Sequence, residues 1–254
     1  SFYALILAFA GSGWALTALP AFAIFKFAVG AGHRRLALEN DRLRHNPALL
    51  VLRVFSLGKR SEILFEAITK RWRYVGDVRL IAGTDLALAT VAPQQFLAFV
   101  SGRLGRLFIR DKSAIHRIPA EIDDRRDRDG RFRLNDFFCH ADTWQNVLAM
   151  LIESTDVVLM DLRSFSRNSA GCVFEIKELL HAMPLQRLVF VVDPTTDKAF
   201  LQQTFEESCR ELRAGSPNLG ASSSAIQPFA LSSIAHEELQ RLMRRLCATV
   251  GSGT

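Results

Sequence analysis

The chain has 254 residues, 49% of them hydrophobic, and a formal net charge of +6. That length suits one large domain with an appendage, and the hydrophobic content is high for a soluble domain unless the excess is concentrated in one place. Cys139, Cys172, Cys209 and Cys247 are scattered without a C-x-x-C, which argues against a zinc ribbon or a redox pair, and the basic residues gather into no single arm, which argues against nucleic-acid binding.

The apolar excess lies at the start. Residues 1–25 carry no charged side chain. A helix of that length spans roughly 37 Å, more than the ~30 Å hydrocarbon core of a bilayer. A secretory leader has a shorter apolar region behind basic residues, so a membrane span over residues 1–32 is the better reading. Lys26, Arg34, Arg35, Arg42 and Arg44 follow it. The positive-inside rule then places everything after about residue 32 in the cytoplasm, with the lipid bilayer as first partner. Residues 33–48 read as a polar connector ending at Asn46 and Pro47.

A regular alternation begins next. LLVLRVF (49–55) predicts a buried strand, and Ser61 is a candidate N-cap for the helix EILFEAITKRWRYV, closed by Gly76 and Asp77. VRLIAG (78–83) predicts a second strand. Residues 93–104 have a helical pattern, and 106–109 read as a short strand. Residues about 110–136 form a charged insertion whose tip is marked by Asp129 and Gly130. Helix 141–154, strand 156–162, helix 170–182 and strand 187–193 follow. The spacing then predicts a helix over 197–215 ended by Gly215, a loop, a weak strand over 226–231 and a terminal helix over 235–250.

Strands alternating with helices in this way predict an α/β fold, a flavodoxin-like doubly wound parallel sheet over residues 49–250. Ligands of such sheets bind beyond the carboxyl ends of the strands, where the strand order reverses. Candidate residues therefore come from the loops after strands. FSLGKRSE, 55–62, offers Ser56, the flexible Gly58, and the cations Lys59 and Arg60 at a helix start, a combination that favours an anion. The spacing is not that of a P-loop, because Arg53 stands where its first glycine belongs. Asp85, after the second strand, is placed to approach a ribose.

The strand VVLMD ends at Asp161, and a polar loop with Arg163, Ser164 and Asn168 leads to the helix AGCVFEIKELL. Glu175 lies in an otherwise apolar helix start. One reading is a helix-start carboxylate, or a partner for Arg163 or Arg167. The other is a carboxylate aimed into the crevice that stabilises an oxocarbenium-like centre during N-glycosidic cleavage. Cys139, His140 and Asp142 are close in sequence, which does not make a metal site, and no metal is expected.

The strand, the serine-containing loop and AGCVFEIKELL, with Glu175 three residues after Cys172, resemble the third-helix region of Toll/interleukin-1 receptor (TIR) domains and their bacterial TIR-like relatives. The motif covers about 20 residues and the order of elements covers about 49–250. The resemblance implies Glu175 as the catalytic carboxylate, with Cys172 beside it, and NAD or a related nucleotide as substrate rather than cofactor. Lys59 and Arg60 would hold phosphate, and Ser164 and Asn168 would shape the pocket. Together with the expected membrane anchor, it suits an effector of bacterial defence or signalling, with a homo-oligomer or membrane complex as the expected assembly. The competing expectation is a non-catalytic nucleotide-binding or assembly module.

Overall fold

The computed structural model describes residues 20, 22–28, 46–53, 59–83, 108–109, 122–127, 129–139 and 143–251. The chain divides into two compact units, Ser1–Asn46 and Pro47–Thr254. In the first, residues 22–28 are helical and Phe22, Ile24, Phe25 and Phe27 are exposed. Most of the expected membrane span lies outside the described residues; among these, no helix is long and apolar enough to cross a membrane.

The second unit contains β1 (Leu49–Arg53), α1 (Lys59–Trp72), β2 (Val78–Gly83), β3 (Phe108–Ile109) and β4 (Leu134–Cys139). It continues with α2 (Trp144–Glu153), β5 (Val157–Asp161), α3 (Ala170–Ala182) and β6 (Leu188–Val192). The last elements are α4 (Lys198–Arg210), β7 (Phe229–Ala230) and α5 (His236–Gly251). The sheet order is β3-β4-β2-β1-β5-β6-β7, and every pairing is parallel. Five of these strands, β2-β1-β5-β6-β7, follow the flavodoxin-like order, and β4 and β3 extend the sheet beyond β2.

The run VVLMD of β5 is buried along its whole length, because alternate side chains meet helices on both faces. Val158 and Met160 share one core with Leu50, Leu52, Phe190 and residues of α2, α3 and α4, such as Leu151, Leu179 and Leu201. Val157 and Leu159 share the other with Leu49, Val51, Val191, Ile68 and Trp72 of α1, and Leu239, Leu242 and Leu246 of α5. Each such buried aliphatic side chain contributes about 1.5–3 kcal/mol of transfer free energy. This two-sided burial holds a sheet whose strands are only two to six residues long.

The helix expected over 93–104 lies outside the described residues; among these, the sequence-based bounds hold within a few residues for most elements. Two differ. The fourth helix stops at Arg210, five positions before Gly215, whose φ of 91° serves a later turn instead. The charged stretch about 110–136 runs into β4, whose LNDFFC hides its apolar half behind Asn135 and Asp136. The part of that stretch over 126–132 is closed by an antiparallel bridge between Arg126 and Phe132, with Gly130 at φ 81° in the turn. Phe132 is buried, and its amide donates to the Arg73 carbonyl after α1. The turn between α1 and β2 needs glycine for space. A Cβ on Gly76 would lie 1.8 Å from the Pro47 carbonyl oxygen.

Candidate functional site

β1 pairs with β2 on one side and β5 on the other. The helices that follow β1 and β5 pack on opposite faces: α1 against Leu49 and Val51, α3 against Leu50 and Leu52. The helices after these two strands thus lie on opposite sides of the sheet, the reversal at which doubly wound sheets place their binding crevice. At its floor, Arg53 of β1 pairs in register with Asp161 of β5.

Asp161 organises that floor. Its Oδ1 accepts from the Arg163 Nε at 2.8 Å and the Arg163 backbone N–H at 3.2 Å, and its Oδ2 accepts from the Arg163 Nη2 at 2.7 Å and the Ser61 hydroxyl at 3.2 Å. The Arg163 Nη2 also donates to the Arg60 carbonyl at 3.0 Å. Both side chains of the pair are almost fully buried. A bidentate pair of this kind is geometrically specific, and removing one partner strands the other charge. Arg163 therefore shapes the crevice by joining the start of α1 to the end of β5.

The next strand repeats the device. Asp193 directly follows β6, and its Oδ1 accepts from the Thr195 backbone N–H at 2.9 Å and the Thr195 hydroxyl at 2.5 Å. Its Oδ2 accepts from the Arg60 Nη2 at 2.6 Å. Burial pushes the Asp193 pKa up, but the Thr195 donors and the Arg60 guanidinium together outweigh it and hold the carboxyl below its ordinary range. The Thr196 hydroxyl donates to the Leu162 carbonyl at 3.0 Å and accepts from the Asp193 N–H at 3.1 Å, so the loops after β5 and β6 are stitched together. Ser164 sits between them at φ 59°, a left-handed conformation that costs a non-glycine residue about 1–3 kcal/mol. Its N–H and hydroxyl both meet the Thr195 hydroxyl, at 3.1 and 3.0 Å.

Glu175 stands in the second turn of α3 and is 3% exposed. Cys172, Glu175, Ile176, Leu179 and Leu180 form the inward row of that helix, as spacings of three and four residues require. The carboxyl is thus enclosed instead of lining an open pocket. Its Oε2 has no hydrogen-bond partner. Burial raises its pKa to about 8, against a smaller opposing hydrogen bond from the Cys172 thiol. At neutral pH the group is therefore mainly a carboxylic acid. Burial, and then the proximity of Glu175 and Asp161, push the Cys172 thiol far up, so it is no nucleophile. Neither arginine pairs with Glu175: Arg163 is committed to Asp161, and Arg167 lies over the Phe200 ring at 5.0 Å.

The structure brings together Arg60, Arg163 and Ser164 through one hydrogen-bonded network, and Cys172 with Glu175 on one helix face. Asn168 is exposed on the loop before α3 and takes no part in that network. Ser56, Gly58 and Asp85 lie outside the described residues, and of Lys59 only the backbone, which opens α1, is described. Ser61 lies inside α1 rather than capping it, and it turns its hydroxyl to Asp161. Sequence reasoning missed Asp193 and Thr195. The signal was present: LVFVVD repeats the pattern of VVLMD, an apolar strand ending in aspartate. Among the described residues no group of acidic, histidine or cysteine side chains is arranged to hold a metal ion.

The fold and the crevice together define a doubly wound α/β domain with its polar groups at the strand-order reversal. The chain matches no protein-family model, no curated protein and no solved structure.

Proposed function

We propose that the protein is a membrane-anchored, TIR-like effector that cleaves the N-glycosidic bond of NAD or a related nucleotide, with Glu175 as the catalytic carboxylate. The observation that carries this reading is the Glu175 side chain, enclosed, with one oxygen unpartnered and its pKa raised to about 8, on the helix that leaves the crevice. A titratable group perturbed this strongly, on the helix that follows the reversal of strand order, is a functional candidate, because a buried orphan has a stability cost that packing alone does not explain. In the reaction, positive charge sits first on the nicotinamide ring and then on the sugar as the bond breaks. A cation arriving beside Glu175 favours its ionised form, and a fixed carboxylate stabilises the oxocarbenium-like centre more than the ground state. Arg60 supplies a partner for the phosphates, and Ser164 and Asn168 border the sugar. Residues 1–32 anchor the chain in the bilayer, with the α/β domain on the cytoplasmic side.

The enclosure of Glu175 favours a second reading, a non-catalytic nucleotide-binding or assembly module of a membrane complex. Both are tested by incubating the full chain, reconstituted in liposomes, with NAD and following nicotinamide release. The catalytic reading expects release by the wild type and a loss on the order of 10³ in Glu175→Gln, which keeps shape and removes the charge. Full activity in that variant ends the assignment of Glu175, and an inert wild type leaves the assembly reading.

A further inference from the structure

Arg60 belongs to the first turn of α1, which follows β1, whereas Asp193 follows β6. In the sheet β5 lies between β1 and β6. The ion pair between them, at 2.6 Å, therefore reaches across the carboxyl end of β5 and over the crevice. Its two members are unequal. The Asp193 side chain is 4% exposed and is also held by the amide and hydroxyl of Thr195. The Arg60 side chain is 52% exposed, and among the described residues its ion pair is with Asp193. Asp193 is thus the fixed end and Arg60 the movable one.

We propose that the Arg60–Asp193 pair is an autoinhibitory strap, opened when the diphosphate group of a nucleotide ligand takes the place of the Asp193 carboxylate on Arg60. The proposal rests on the nucleotide reading above for the class of ligand. A guanidinium presents the same planar fork to a phosphate as to a carboxylate, so the exchange requires no new geometry at Arg60. Because the Asp193 end is buried, opening the pair is costly, and a diphosphate, which carries more charge than one carboxylate, is the kind of ligand that can offset that cost. A ligand without phosphate leaves the strap closed. The crevice thereby selects for phosphate before any chemistry begins. Asp193, left without Arg60, keeps both Thr195 donors on Oδ1 but loses the donor to its buried Oδ2, a cost that the incoming ligand has to offset.

The test is calorimetric titration of the full chain with inorganic pyrophosphate at constant ionic strength. Asp193→Asn frees Arg60 while keeping the shape of the side chain, and is expected to bind pyrophosphate about ten-fold more tightly than the wild type. Arg60→Gln is expected to bind at least about ten-fold more weakly, and the double variant no better than Arg60→Gln. A folded Asp193→Asn that binds no more tightly than the wild type overturns the strap, as does an Arg60→Gln that binds equally well. Should Asp193→Asn not fold, the Arg60 Nε–H resonance of the wild type, identified by its loss in Arg60→Gln, provides the reading. It is expected to shift on saturation with pyrophosphate, and an unmoved resonance overturns the proposal. NAD cleavage measured in parallel separates the two ideas, since an inert wild type ends the catalytic reading while the pyrophosphate result stands.

Discussion

Asp161 and Asp193 end neighbouring strands in the same way, yet their partners give them different work. Asp161 faces a buried arginine two residues on and acts as a structural bracket. Asp193 faces a half-exposed arginine from the first turn of α1 and forms the contact proposed to be exchanged. Glu175 differs from both in having no cationic partner, and this has a consequence for stability. Burial raises its pKa from the ordinary 4.5 to about 8. Between those values the folded protein keeps a proton that the unfolded chain has released. Its contribution is fully present below about pH 4.5 and is lost as pH rises toward 8, at ~1.4 kcal/mol per pH unit or about 4–5 kcal/mol in all. Glu175→Gln has no such proton. Urea unfolding of both proteins near pH 5 and pH 8 should therefore show the variant gaining on the wild type by several kcal/mol as pH rises. A difference that stays constant with pH would mean that Glu175 is not enclosed in solution.

At the scale of elements, the end of α3 shows how a polar loop residue holds a helix. Its last carbonyls lack partners within the helix. Asn218, distant in sequence, supplies them: its Nδ2 donates to the Leu180 carbonyl at 2.6 Å and to the Met183 carbonyl at 2.7 Å. Its Oδ1 accepts from the Leu185 N–H at 3.0 Å. The side chain is buried, so Asn218→Ala leaves the Met183 carbonyl and the Leu185 N–H without this partner, while the Leu180 carbonyl keeps the Ser216 hydroxyl at 3.3 Å, and it should cost about 3 kcal/mol by chemical denaturation. A loss below about 1 kcal/mol would mean that water replaces the amide. The stretch SPNLG marks a loop by composition, but nothing local says which helix it serves. The same limit explains α4, where Gly215 is an attractive helix stop by composition. The helix ends earlier, at Arg210, while Gly215 takes its positive φ in the following turn.

At the scale of the whole molecule, the unit Pro47–Thr254 carries both hydrophobic cores. A chain beginning at Pro47 should unfold in one cooperative thermal transition, since both cores lie on one sheet. In a flotation assay it should stay with the soluble fraction, whereas the full chain should float with liposomes. A full chain that also stays soluble would remove the proposed membrane anchor. A shortened chain without a cooperative transition would make residues 1–46 part of the fold.

The alternation of apolar runs and amphipathic segments determined the α/β class and the parallel pairing of β1, β2, β5 and β6, because strands buried on both faces must read as continuous apolar runs. It did not reveal β4, where Asn135 and Asp136 interrupt the run at the outer part of the sheet. The residues of the loop after β5 were visible as candidates because loops at strand ends are few and polar. Their roles were decided by tertiary structure. Whether Arg163 meets Glu175, Asp161 or a ligand depends on side-chain direction across three segments, and the pairing with Asp161 follows from the geometry of the loop. The enclosure of Glu175 likewise depends on what packs over α3, and Arg60 meets Asp193 only because β1, β5 and β6 lie side by side. Local sequence determines which residues reach the crevice; the pairing of charges distant in the chain is a property of the assembled sheet, since Coulomb and hydrogen-bond energies depend on separation in space.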